Sequence, residues 1–151
     1  MNLADTNIIL NAVIAELFPT PDSVKAAAYL EEVGVSGLCL PQTVFYELET
    51  VFYRVVAKQY KFPADGQTRL IAKFRDLYQA IYEEAVIFPL FFEDEEYAME
   101  LYSSQQTKFP KLSLIDCTLL ALSKRTKLKL MTLDANLLAA AKKMHLACFT
   151  L

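Results

Sequence analysis

The chain has 151 residues, 54% of them apolar, with a mean hydropathy of +0.25 and a formal charge of −3. That length suits one compact domain, able to bury roughly 70% of the surface its unfolded form exposes, and leaves no room for a second. The apolar share is high for an isolated soluble domain, so a homodimer or another covered surface is expected.

No uninterrupted apolar run nears the roughly 18 residues of a membrane helix; the longest, around Ala85 to Phe92, is broken by Pro89. The N-terminus has no basic segment, and Asp5 and Asn7 interrupt its apolar stretch, which argues against a signal peptide and for a cytoplasmic protein. Cys39, Cys117 and Cys148 are an odd number at irregular spacing, the pattern of reduced thiols rather than of a disulfide framework or zinc site.

A short strand, Met1 to Ala4, precedes a helix from Thr6 to Phe18 in which Ile9, Val13 and Leu17 recur at helical spacing. Asp22 is placed to cap a second helix that ends near Gly34. Val35 to Leu40 reads as the second strand. After Pro41 a long helix carries Val44, Leu48, Val51 and Val55, and Asp65 opens another with Leu70, Phe74, Leu77 and Ile81 on one face. Together these two predict a helical arm at about residues 43–84. A third strand, Val86 to Phe88, is followed by helices Glu93 to Gln106 and Leu114 to Arg125. Strand Leu128 to Thr132, helix Ala135 to Met144 and strand Leu146 to Thr150 complete the chain. Strands alternating with helices predict an α/β fold with a parallel sheet of about five strands and right-handed crossovers. All six prolines fall between these elements.

Asp5, Glu47, Asp116 and Asp134 each sit where a strand hands over to a helix or where a helix begins. A parallel α/β sheet gathers its ligand crevice beyond the carboxyl ends of its strands, at the point where strand order reverses. Two carboxylates about 6 Å apart repel by roughly 3 kcal/mol at an effective dielectric of 20, a strain that a divalent ion relieves. An oxygen-only set points to Mg²⁺ or Mn²⁺, one or two ions, and to water activated for attack on a phosphodiester. Thr6, Asn7, Ser113 and Thr132 supply hydroxyls and an amide as supporting or substrate contacts. Each acid also has a purely structural reading: Asp5 and Asp134 as helix N-caps, Asp116 as the far half of a capping box with Ser113, and Glu47 as part of an exposed helix face.

The negative charge does not exclude a nucleic-acid substrate, because two divalent ions would carry −3 to about +1. Arg69, Lys73 and Arg75, and then Lys124, Arg125, Lys127 and Lys129, read either as phosphate contacts or as solvated helix faces. The run Glu93-Asp94-Glu95-Glu96 begins a helix, where the macrodipole favours negative charge. Phe45, Tyr46, Phe52 and Tyr53 read as core or subunit contact. With His145 the sole histidine, a two-histidine mechanism is excluded, and Gly34, Gly37 and Gly66 form no phosphate loop.

The run Asp5-Thr6-Asn7-Ile8-Ile9-Leu10, the helix carrying Glu47-Leu48, Leu114-Ile115-Asp116-Cys117 with the following Leu-Ala, and Met131-Thr132-x-Asp134 together resemble the PIN domain, over almost the whole chain. Within that family the likeness is to VapC-type ribonuclease toxins. The resemblance implies a three-layer α/β/α fold, Asp5, Glu47, Asp116 and Asp134 as catalytic and metal-binding acids, and metal-dependent endonucleolytic cleavage of RNA leaving 5′-phosphate and 3′-hydroxyl ends. It further implies a homodimer and a small antitoxin bound by the early helices. Leu137 stands where many relatives carry an aromatic residue. The alternative is a catalytically inactive PIN-like module that binds protein or RNA.

Overall fold

A computed structural model of the chain describes residues 1–56, 64–105 and 111–151. Five parallel strands, β1 (Asn2–Ala4), β2 (Leu38–Pro41), β3 (Val86–Phe88), β4 (Lys129–Met131) and β5 (Cys148–Phe149), form one sheet in the order β3-β2-β1-β4-β5. Seven α-helices occur among the described residues: α1 (Thr6–Ile14), α2 (Pro21–Val33), α3 (Gln42–Val51), α4 (Ala64–Glu84), α5 (Phe92–Gln105), α6 (Leu114–Thr126) and α7 (Ala135–Lys143). Connections from β1 to β3 step one way along the sheet, and those from β3 to β5 step the other way. Right-handed crossovers therefore place α1–α4 on one face and α5–α7 on the other. The packing agrees, with α1 against α2, α3 and α4, and α5 against α6. No described helix is long and apolar enough to cross a membrane.

The two helices nearest the sheet centre are buried almost all round. In α6 every residue from Cys117 to Ser123 is buried, and in α1 so are Ile8–Leu10 and Ala12–Ile14. A helix apolar on every side is one held between a sheet and a further layer. Leu3, Leu38, Leu40, Leu130 and Met131 meet them from the strands, each fully enclosed and each contributing roughly 1.5–3 kcal/mol by leaving water. The outer strands β3 and β5 are short and only half-buried, which limits the unpaired edge they offer.

Local chemistry explains most boundaries and corrects several expectations. Helix α1 stops at Ile14 rather than Phe18, although Leu17 still packs on the core. The cap of α2 is Thr20, not Asp22: Thr20 and Ser23 form a reciprocal capping box, with Pro21 in the first turn, where a missing N–H costs nothing. Asp22 sits in that first turn, favoured by the helix dipole. Gly34, at φ 70°, ends α2, and a tight turn at Val35–Gly37 delays β2 to Leu38. The expected end of α5 at Gln106, and Pro63 and Pro110, lie outside the described residues.

The described parts of the arm form a hairpin whose helices are joined by aromatic stacking. Phe45 stacks on Tyr78 at 4.6 Å, and Phe52, in a π-helical turn continuing α3, stacks on Phe74 at 3.9 Å. From α4, Leu70, Phe74 and Ile81 enter the main core. Phe45 and Phe52 are core residues as expected, whereas Tyr46 is 61% exposed.

Most of the basic clusters serve the fold. Arg69 and Lys73 pair with Glu16, Lys124 and Lys129 lie over the rings of Tyr97 and Phe149, and Arg125 bonds Asp94 at 2.8 Å. Asp94 is only 4% exposed, and its other oxygen accepts the Phe91 N–H, so one acid of the Glu93–Glu96 run is a buried structural group. Arg125→Met leaves that carboxylate without its cation. We expect a loss of roughly 2–3 kcal/mol in urea unfolding, below the 3–5 of a fully buried pair because Arg125 is partly solvated, with Asp94→Leu in the same chain recovering part of it.

Candidate functional site

β1 and β4 are the adjacent central pair, and strand order reverses between them. Asp5 follows β1 directly, its N–H bonded to the Met131 carbonyl at 3.1 Å, so the residues after the two strands meet at the switch point. Glu47 enters from α3, Asp116 from the first turn of α6, and Asp134 from the N-terminus of α7. Asp5 feels the charges of both Asp116 and Glu47, and Asp116 feels that of Asp134. All four expected acids thus gather at one edge of the sheet.

Asp5 occupies the N-cap position of α1, yet its side chain makes no cap bond. Its Oδ2 instead accepts the Thr132 hydroxyl at 2.6 Å and the Asn7 amide at 2.7 Å. Thr132, fully buried, has its whole hydrogen-bonding capacity engaged: its hydroxyl donates to Asp5 and accepts from Asn7 Nδ2 at 3.2 Å and from the Asp134 N–H at 2.9 Å. The Asn7 Oδ1 accepts the Leu133 N–H at 3.1 Å, closing the loop after β4 onto the loop after β1. On the other side, Thr6 donates to Glu47 Oε2 at 2.5 Å. The hydroxyls of Thr6 and Thr132 and the Asn7 amide therefore orient two of the acids.

Asp134 and Asp116 do cap their helices. Asp134 Oδ1 accepts the Asn136 and Leu137 N–H groups, and Asp116 Oδ2 accepts the Ser113 N–H at 2.6 Å while the Ser113 hydroxyl accepts in return. Each cap engages one carboxylate oxygen. Asp134 Oδ2, Asp116 Oδ1 and Glu47 Oε1 accept no bond among the described residues, and all three side chains are half-buried, open to solvent on one side. Ser113 is exposed and confined to its cap.

Burial pushes the Asp5 carboxyl up to about 7, with the charges of Asp116 and Glu47 adding to the rise and the bonds from Thr132 and the Thr6 backbone opposing it. Asp116 is raised as well, chiefly by burial, with a contribution from Asp134. Burial and the adjacent Asp116 drive the Cys117 thiol up to about 11, which makes it inert as a nucleophile. Such an oxygen-only set, crowded and partly protonated, has the chemistry of a site for a hard divalent cation. Among the described residues no three acid, thiol or imidazole groups stand ready to ligate one ion directly. What fits is an ion that keeps much of its water and takes one or two carboxylates, as Mg²⁺ does.

Sequence reasoning did not reach the surroundings of Glu47. A cleft of about 650 Å³ runs along α3, lined by Thr43, Tyr46, Glu47, Thr50, Arg54 and Ile115. Thr43, Glu47, Thr50 and Arg54 are spaced four, three and four residues apart, a single helix stripe that the sequence displays.

The profile of the PIN domain matches residues 3–143. The chain belongs to the PIN domain family. Several solved structures share its fold at low identity. FitAcB from Neisseria gonorrhoeae is 19% identical, with a TM-score of 0.64 over 99% of this chain and 96% of that one. VapC20 from Mycobacterium tuberculosis, a toxin that cleaves the sarcin-ricin loop, is 15% identical, with a TM-score of 0.65 over 93% and 95%. VapBC2 from Rickettsia felis, solved with a fragment of promoter DNA, is 16% identical, with a TM-score of 0.58 over 99% and 97%. No curated protein sequence matches the chain.

The raised Asp5 carboxyl contributes a pH dependence to the stability of this PIN domain, and the raised Asp116 adds to it in the same direction. Between about pH 4 and pH 7 the folded chain keeps a proton on Asp5 that the unfolded chain has released, so rising pH favours unfolding across that window. Relative to wild type, metal-free Asp5→Asn is expected to lose less stability between pH 4 and pH 8 and to melt higher at pH 8, as read by calorimetry. Because an ion competes with that proton, saturating Mn²⁺ should raise the wild-type Tm more at pH 8 than at pH 6.

Proposed function

We propose that this PIN domain is a metal-dependent endoribonuclease and serves as the toxin of a type II toxin–antitoxin pair. The observation that carries the reading is Asp5. It sits where a helix cap would form but turns away from its helix, held by Thr132 and Asn7 in a buried position among three further acids. A cap has no need of that arrangement, whereas a phosphodiesterase does.

Asp5, Glu47, Asp116 and Asp134 would hold one or two Mg²⁺ or Mn²⁺ ions, each acid offering an oxygen that no cap occupies. Ions bound there supply an activated water and charge neutralisation at the phosphate. Thr132 and Asn7 fix the position of Asp5, and Thr6 fixes that of Glu47, so neither carboxylate must reorganise during the reaction. The cleft along α3 admits a single strand past Glu47, with Arg54 as a phosphate contact.

The VapC20 relative is a toxin that cleaves the sarcin-ricin loop, and another neighbour is a toxin–antitoxin complex from Klebsiella pneumoniae, which supports RNA as substrate and a small antitoxin as partner. Exposed Tyr82 on α4 and Phe92, Met99 and Tyr102 on α5 offer apolar surface for that partner or for a homodimer. The second reading, an inactive module that binds protein or RNA, takes Asp116 and Asp134 as helix caps and nothing more.

Cleavage of single-stranded RNA with Mn²⁺ separates the two readings. The wild-type chain is expected to cut endonucleolytically, Asp5→Asn to abolish cutting, and Thr132→Val to slow it by about 10–100-fold, the usual effect of removing a group that orients a metal ligand. Uncut RNA with wild type, or equal rates in all three proteins, would reject the enzyme.

A further inference from the structure

Next to the acids lies a second, smaller cavity of about 190 Å³, walled chiefly by Thr43, Leu90, Glu95, Ala98, Met99 and Leu114. Its walls come from the start of α3, the middle of α5 and the first turn of α6. Thr43 lies one helical turn before Glu47 and lines both this cavity and the cleft along α3; Leu114 lies two residues before Asp116. A group seated here is therefore within about one helical turn of two of the acids.

The lining is aliphatic apart from the hydroxyls of Thr43 and Thr118 and the Glu95 carboxylate; the Thr118 hydroxyl donates to the Leu114 carbonyl at 2.8 Å. Glu95 is exposed at the rim, and its carboxylate accepts no hydrogen bond among the described residues. The Thr43 hydroxyl is buried and has no partner among them. Buried hydroxyls are nearly always bonded, so the unpaired Thr43 hydroxyl leaves this corner of the structure incompletely satisfied. Mostly apolar walls with a few convergent polar groups are what small-ligand pockets look like, and single-stranded RNA is read by splaying one base into such a pocket.

We propose that this cavity receives one base of the RNA strand beside the scissile phosphate, and that it selects guanine. This rests on the nuclease reading above. Glu95 is acceptor-only when ionised, and guanine presents two neighbouring donors, its N1–H and its 2-amino group, to a carboxylate. Adenine and cytosine offer one amine beside a ring acceptor, and uracil places its N–H between two carbonyl oxygens, which the carboxylate repels. The aliphatic residues Leu90, Ala98, Met99 and Leu114 enclose the ring.

The test uses the full chain with Mn²⁺ and a pool of short single-stranded RNAs randomised at every position, with the product ends sequenced. Wild type is expected to enrich guanine at one fixed position near the cut. Glu95→Gln should lower that enrichment on the order of tenfold, the worth of one good base-edge pairing. Met99→Trp, at an exposed rim position, should reduce the same enrichment without lowering Tm. A product profile with no preferred base in wild type, or one unchanged in both variants, overturns the proposal.

A binding arm separates failure of the pocket from failure of the enzyme. Asp5→Asn protein is titrated with fluorescent RNA pentamers that differ only in a central guanine or uracil. Preference for guanine by about tenfold, lost when Glu95→Gln is added, supports the pocket even if wild type cuts nothing. Equal binding of the two pentamers overturns it, and equal binding together with variants that weaken a protein complex identifies a protein segment as the occupant instead.

Discussion

A carboxylate that is only 6% exposed, with two others near enough to raise its affinity for a proton, is the constraint around which this fold is organised. Removing a charged group from water costs several kcal/mol unless its partners are in place. Here the partners come from both central strands: Thr132 follows β4, Asn7 follows β1, and their bonds to one oxygen of Asp5 exist only because those strands are neighbours. The same adjacency creates the switch point. The topology that opens a crevice is thus also the topology that supplies the groups needed to hold an acid inside it.

Repulsion among the acids is further reduced by the helices that deliver them. Asp5, Asp116 and Asp134 each stand at the N-terminus of a helix, where the unpaired N–H groups carry roughly half a positive charge. Three such ends converge on one edge, which offsets part of the charge of four carboxylates and lets the chain fold before any cation arrives. Capping and metal binding are therefore compatible roles. A cap uses one carboxylate oxygen and locks the rotamer, so the free oxygens of Asp116 and Asp134 have fixed positions. The inactive-module reading gains nothing from the caps themselves; it would need the free oxygens to be engaged elsewhere, and among the described residues they are not.

Much of this was legible in the sequence, because the features that set it are local. Strands Val86–Phe88 and Lys129–Met131 and helices α6 and α7 follow from β-branched or apolar runs bounded by caps, and the acids were visible at their junctions. Local rules failed where two of them competed. Thr20 and Asp22 are both good caps, and the position of Pro21 and the reach of Ser23 decided for Thr20. Leu17 kept the helical period past Ile14 because packing on the core does not require a helix. The Asp94–Arg125 pair spans 31 residues, and no sequence spacing announces it. Nor could the sequence tell that Asp5 would decline its cap, since that choice depends on a threonine 127 positions away.

The distribution of cations carries the argument one step further. Of the basic residues that cluster in sequence, Arg69 and Lys73 answer Glu16, Arg125 answers Asp94, and Lys124 and Lys129 cover aromatic rings. These pairings leave neither sequence cluster as a continuous free basic patch, and the chain as a whole is negative. Proteins that bind nucleic acid through many phosphate contacts gain most of their affinity, and little of their selectivity, from released counterions. On the nuclease reading proposed above, this PIN domain would work the other way. Attraction would be concentrated at the acid cluster, through divalent cations, and at Arg54 in the adjoining cleft. On that reading a ligand held at so few points is chosen by shape and by the edges of individual bases, and the pockets flanking Glu47 and Asp116 are where that choice would be made.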